Sequence, residues 1–162
     1  MAAQKTGPAL GSTGLLTDVD TVQRNRLGLV VPGTDAVGNY AEYIYLTGVA
    51  STAIGSWVTY DELLLTTLTL ANALGPVAVA MSACVASSYG WYCIRGSVNG
   101  LCLANYADNA KVWVTSTAGQ VDDADVAVDL VINAVGRSAR VAATGFALFQ
   151  IHYPFCLNEV YN

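Results

Sequence analysis

A chain of 162 residues is long enough for one domain, or for one domain with an arm. Charged residues make up 12% of it, about half the roughly 25% usual for soluble domains, and hydrophobic residues reach 54%. That balance excludes an intrinsically disordered chain. Seven Lys and Arg against twelve Asp and Glu leave no clustered basic surface for binding nucleic acid. With so few charges, much of the surface is expected to be covered by other protein.

Residues 1–26 are rich in Gly, Thr and Ser and have no sustained apolar period. They read as an extended N-terminal arm, followed by a β-rich domain over 27–162. No apolar core precedes Gly7 and Pro8, so no signal peptide is expected and synthesis is placed in the cytoplasm. Turn residues Pro32-Gly33 and Gly38-Asn39 lead into expected strands over 40–46 and 57–60, both rich in aromatic or β-branched residues. Over 63–74 the leucines suit a short helix, whereas Thr66, Thr67 and Thr69 lean towards an extended run. Residues 77–86 alternate by size, Val77 and Val79 against Ala78 and Ala80, which is the period of a strand.

The stretch 63–94 lacks charge and is long enough to cross a bilayer, but Gly75-Pro76 and many Thr and Ser interrupt it. No membrane span is expected. Residues 87–90 read as a loop between 77–86 and a strand over 91–98, and Asn99-Gly100 as a hairpin turn into 101–104. Further strands are expected over 111–117, 126–132, 139–143 and 146–153. Short strands at this spacing predict an all-β fold, a compact β-barrel or β-sandwich.

Chemistry is sparse. The single histidine, His152, lies four residues before Cys156, but Pro154 intervenes and nothing nearby in sequence would orient a nucleophile–base pair. Cys84, Cys93, Cys102 and Cys156 form no metal-ligand spacing. The expected register sets Cys84 opposite Cys93, so a bond between them is sterically conceivable, while a cytosolic compartment favours free thiols. The acidic group Asp122, Asp123, Asp125 and Asp129 lacks the pattern of a calcium loop and reads as a solvated turn. No phosphate-binding glycine motif is present. The expectation is a non-enzyme with no cofactor and no bound metal, and with neither nucleic acid nor membrane as a partner. The aromatics Tyr89, Trp91, Tyr92 and Trp113 are expected to pack in the core or at a subunit interface.

Several segments carry a resemblance. They begin at Arg26-Leu27-Gly28, Gly33-Thr34-Asp35 and 40–46. Gly75-Pro76-Val77-Ala78-Val79-Ala80 follows, then Ser88-Tyr89-Gly90-Trp91-Tyr92-Cys93-Ile94-Arg95-Gly96. Next come 114–123, Ala143-Thr144-Gly145-Phe146 and Pro154. In this order the chain resembles the bacteriophage capsid decoration (cement) proteins, small β-rich proteins of the outer head surface. The tyrosine-glycine-tryptophan of 89–91 and the Thr-Ala-Gly of 117–119 carry most of the likeness. The departures are the 26-residue arm, Cys93 within its strand, and Asn133 where a glycine is expected.

The resemblance implies a structural virion protein, a homotrimer bound to the phage major capsid protein, that clamps neighbouring capsomers against internal DNA pressure. The expected capsid contacts are Arg24 and Arg26, and the expected oligomer interface is Trp57, Tyr89 and Trp91, aromatics that suit an ordinary core equally well. A head or tail knob binding a host surface glycan or receptor is the alternative, and a small β-barrel enzyme the third class.

Overall fold

The computed structural model describes residues 4–5, 14–125 and 128–158. Its strands in chain order are β1 Gln4–Lys5, β2 Val19–Asp20, β3 Val30–Thr34, β4 Tyr40–Thr47, β5 Trp57–Tyr60 and β6 Thr66–Leu68. They continue with β7 Gly75–Ala80, β8 Tyr89–Leu101, β9 Trp113–Val114, β10 Val121–Asp122, β11 Val131–Gly136 and β12 Phe146–Cys156. No helix occurs among the described residues, and the fold is all-β, a sheet curled into a half-barrel. Ten strands form that sheet in the order β1-β3-β4-β8-β12-β7-β5-β6, with β11 added to β12 and β2 to β8. β9 and β10 make a separate two-stranded ribbon.

The sheet is organised around β8. Along one edge it pairs antiparallel with β4, from Glu42 opposite Arg95 to Thr47 opposite Tyr89. Its other edge is shared by three strands in succession: β12 over Arg95–Leu101, β7 at Tyr92 and Cys93, and β2 at Tyr89 and Gly90. A strand with partners on both edges must be apolar on both faces if both faces are covered. Trp91 and Cys93 enter the larger core cluster with Tyr43, Tyr45, Val77 and Val79. Tyr92 and Ile94 enter a second cluster with Ile44, Leu46, Ala78 and Ala80. The size alternation of the sequence is therefore real across 77–80: valines face the larger cluster and alanines the tighter one.

Several expected elements end or begin elsewhere. Strand β7 stops at Ala80 rather than 86, because the segment after it folds over Gly48. Gly48 donates to the Ser88 carbonyl at 2.7 Å, and its Cα lies so close to the Val85 and Cys84 carbonyls that a side chain there would collide with them. Cys84 thus lands in the smaller cluster and Cys93 in the larger, and they do not face each other. All four cysteines are free and buried.

Asn99-Gly100 is not a turn. Both residues lie inside β8, opposite Leu148 and Ala147. The glycine is there for close packing: a Cβ at Gly100 would stand 2.7 Å from Nε1 of Trp57 and 3.0 Å from Cδ2 of Phe149, whose rings meet edge to face at 5.0 Å. Residues 139–143 are not a strand: Val141 makes one isolated bridge to Phe146, and a turn over 142–145 is closed by Gly145 N–H donating to the Val141 carbonyl at 2.9 Å. The 63–74 run is extended only at β6. Of the expected strand over 126–132, residues 126 and 127 lie outside the described residues, and the observed strand begins at Val131.

The arm is the largest departure. Residues 1–3 and 6–13 lie outside the described residues, but 14–26 do not extend away from the domain. Leu16 is buried in the larger cluster, β2 pairs with β8, and the Tyr45 hydroxyl donates to the buried Asp20 carboxylate at 2.6 Å. A polar, glycine-rich segment is thus tied down by one apolar anchor and one buried acid.

Gly100→Ala should cost about 1–3 kcal/mol, since the new methyl meets two rigid rings rather than a flexible side chain. Urea unfolding of the variant and the parent checks this, and an unchanged midpoint would contradict the packing role.

Candidate functional site

The residues expected to act fall in separate places. Trp57 and Trp91, with 0% and 1% exposure, are wholly enclosed by their own chain and have no surface to offer a partner. Both indoles lie on the inward faces of paired strands, so the expected oligomer interface reduces to Tyr89, which is half-buried and stacks on Tyr45 at 6.3 Å. Arg24 is exposed and pairs with Asp20 at 3.3 Å, while its backbone N–H donates to the Tyr45 hydroxyl at 3.4 Å. Arg26 is exposed. The first arginine therefore braces the N-terminal segment as well as facing solvent.

His152 and Cys156 do not meet: the imidazole is exposed beside Tyr153, and the thiol is buried in the core. Burial pushes the Cys93 and Cys156 thiols up to about 12 and Cys102 up to about 11, far from thiolate chemistry at neutral pH. The acidic group is not a single solvated turn. Asp129 is buried and accepts the Asn72 N–H at 2.6 Å, and Asp123 accepts the Ala107 N–H at 2.8 Å. No three His, Cys, Asp or Glu among the described residues are grouped to hold a metal ion. No helix among them is long and apolar enough to cross a membrane.

Two surface features stand out instead. Beside the edge strand β6, the connections at 61–65 and 69–74 expose Leu63, Leu65, Leu70 and Leu74, each between 47% and 67% accessible. Asp61 fixes the first of these connections, its Oδ1 accepting from the N–H groups of Leu63 and Leu65 at 3.0 and 2.9 Å. Leu63 and Leu65 are therefore held outward by this turn.

The second feature is a groove of about 580 Å³ where the β3–β4 turn, β8, β11 and β12 converge. Asp35 fixes its wall. Its Oδ1 accepts from Val37 and Asn39 at 2.9 and 2.8 Å, and its Oδ2 from Ser97 on β8 at 2.8 Å. Next to it, Glu42 collects three donors: the Tyr40 hydroxyl at 2.9 Å, Arg95 at 3.2 Å and the Tyr153 hydroxyl. The Arg95 guanidinium also lies 5.1 Å from the centre of the Tyr40 ring.

This cluster was not legible in the sequence, because Glu42 and Arg95 are brought together only by the β4–β8 register. The one local signal was Asn133, which stood where a glycine was expected. Its φ of +59° is the left-handed conformation that glycine and asparagine accept most readily, and it sits at a register shift between β11 and β12.

Compared with protein families, curated proteins and solved structures, the chain matches none.

Burial pushes the Glu42 carboxyl up, but the hydrogen bonds from Tyr153, Tyr40 and Arg95, with the Arg95 charge, outweigh it and hold the group below its ordinary value. A depressed carboxylate contributes stability above its unfolded pKa and loses it as pH falls through the folded value. Glu42→Gln should therefore melt lower than the parent at pH 7, and the gap should close below about pH 4. Thermal melts of both proteins across that range test it; a gap independent of pH would contradict the assignment.

Proposed function

We propose that the protein is a non-enzymatic structural protein of the phage virion, a decoration protein on the outer surface of the assembled head, made in the host cytoplasm. The observation that carries this reading is the row of exposed leucines beside β6, on a chain with only 12% charged residues. Outward leucines held by an ordered turn are a poor solution for a free monomer and a good one for a surface that ends up against protein. The resemblance of the segments quoted above to the decoration proteins is what suggests the major capsid protein as that surface, and association into homotrimers.

The mechanism is linkage. A protein that binds the assembled shell and not its separated subunits lowers the free energy of the shell by mass action. Repetition at every seam multiplies a modest contact into a strong clamp. Arg26 and the exposed flank of Arg24 add charge contacts to the same reading. A knob or fibre component that binds a host glycan is the competing assignment, and it differs in stoichiometry.

Quantitative mass spectrometry of purified virions should find a copy number close to that of the major capsid protein. A handful of copies would favour the knob, and absence would remove the virion assignment. Leu63→Ser combined with Leu74→Ser should reduce occupancy on the shell about tenfold with little change in melting temperature, since both side chains are exposed.

A further inference from the structure

The groove beside Asp35 has the makings of a binding site, and its chemistry narrows the ligand. Its charged groups are already satisfied. Asp35 accepts three backbone N–H groups, and Arg95 is paired with Glu42. A site for an ionic ligand would instead leave a counter-charge uncompensated. The other polar residues that line it are Asn39, Asn133 and Gln150 with their side-chain amides, Ser97 with its hydroxyl, and His152. An amide presents donors and an acceptor side by side, which matches the hydroxyls of a polyol, each both donor and acceptor. Gln150 is oriented in advance: its Oε1 accepts two N–H groups of Arg137 at 3.0 and 2.9 Å, which leaves its amide as a donor only.

The other element is an aromatic surface. Tyr40 is 56% exposed and held upright by Glu42 and Arg95, so its position does not have to be ordered on binding. Sugar rings carry apolar C–H faces as well as hydroxyl edges, and a half-exposed ring beside amides meets both. The volume, about 580 Å³, lies in the range of small-ligand sites.

The backbone is also irregular here. Gly96, Asn133 and Tyr153 have φ of +116°, +59° and +52°, and register shifts fall at Glu42/Tyr43 and Ile132/Ala134. Gly96 and Asn133 line the groove, and the others fall on strands beside it. Bulges and left-handed residues of this kind re-aim side chains at functional sites.

We infer that this groove binds a neutral oligosaccharide, with Tyr40 against a sugar face and Asn39, Asn133 and Gln150 reading its hydroxyls. The inference does not depend on attachment to a capsid and applies to the free protein.

The test is titration of the full-length, 15N-labelled protein with maltohexaose, cellohexaose, mannohexaose and N-acetylchitohexaose, with hexagalacturonate as the charged comparison. At least one neutral sugar should shift the amide signals of Asn39, Gly96, Asn133 and Gln150 and saturate near 1 mM, an order-of-magnitude value for a shallow site of about this size. Tyr40→Ala should weaken that binding about tenfold. Asn133→Gly keeps the left-handed backbone while removing the amide, and should weaken it similarly in a protein that melts normally.

No shift in the groove with any neutral sugar at about 10 mM would overturn the inference. So would a stronger response to hexagalacturonate, or unchanged affinity in both variants. None of these outcomes bears on virion copy number, so this inference and the proposed role fail separately.

Discussion

The antiparallel ladder on both edges of β8 is the constraint from which the rest of the molecule follows. Thirteen residues long, this strand holds β4 on one side and β12, β7 and β2 on the other, and over 90–94 its residues are buried on both faces. Two apolar clusters lie on opposite faces of this part of the sheet, and the neighbouring stretches Tyr43–Leu46 of β4 and Val77–Ala80 of β7 are buried on both sides as well. The high apolar content of the chain is largely this demand, since a single layer covered on both faces needs twice the apolar residues of a half-buried one. Part of the remainder is exposed, at Leu15, Val22, Ile54 and Val141 as well as at the leucines beside β6.

The same strand fixes the polar groove. Arg95 is the point at which β4 and β12 both pair with β8, which brings Glu42 and His152 to the two sides of one residue. The turn after β3 is then tied to Ser97 through Asp35, and β11 arrives through its irregular pairing with β12. Rigid, multiply bonded walls of this kind let a site be shaped before anything enters it.

Much of the fold could be read from the residues. Runs of β-branched and aromatic residues bounded by turn residues located 57–60 to the residue, and 40–46 within one. The failures share a cause. Asn99-Gly100 has the local chemistry of a turn, but Trp57 and Phe149, far away in sequence, claim the space where a Cβ would be. Residues 81–86 keep strand-like alternation, yet the approach to Gly48 bends them into a loop. Trp57 and Trp91 look like interface aromatics to anyone who cannot see which face of the strand is inward. The groove was illegible for a deeper reason: it is assembled from four segments whose meeting depends on register, and register is a property of pairs of strands.

The position of β12 in the chain gives the fold a temporal order. It is the last described strand, yet it occupies the middle of the sheet, filling the edge of β8 along Arg95–Leu101. During vectorial synthesis, β8 emerges about fifty residues before the partner it requires, with a long edge of unpaired backbone groups left open in the meantime. A nascent chain in that state is exposed to pairing with its neighbours on the same polysome. Closure is a late, long-range event, so the yield of folded protein should depend more on how quickly translation reaches residue 156 than on the strength of any local turn.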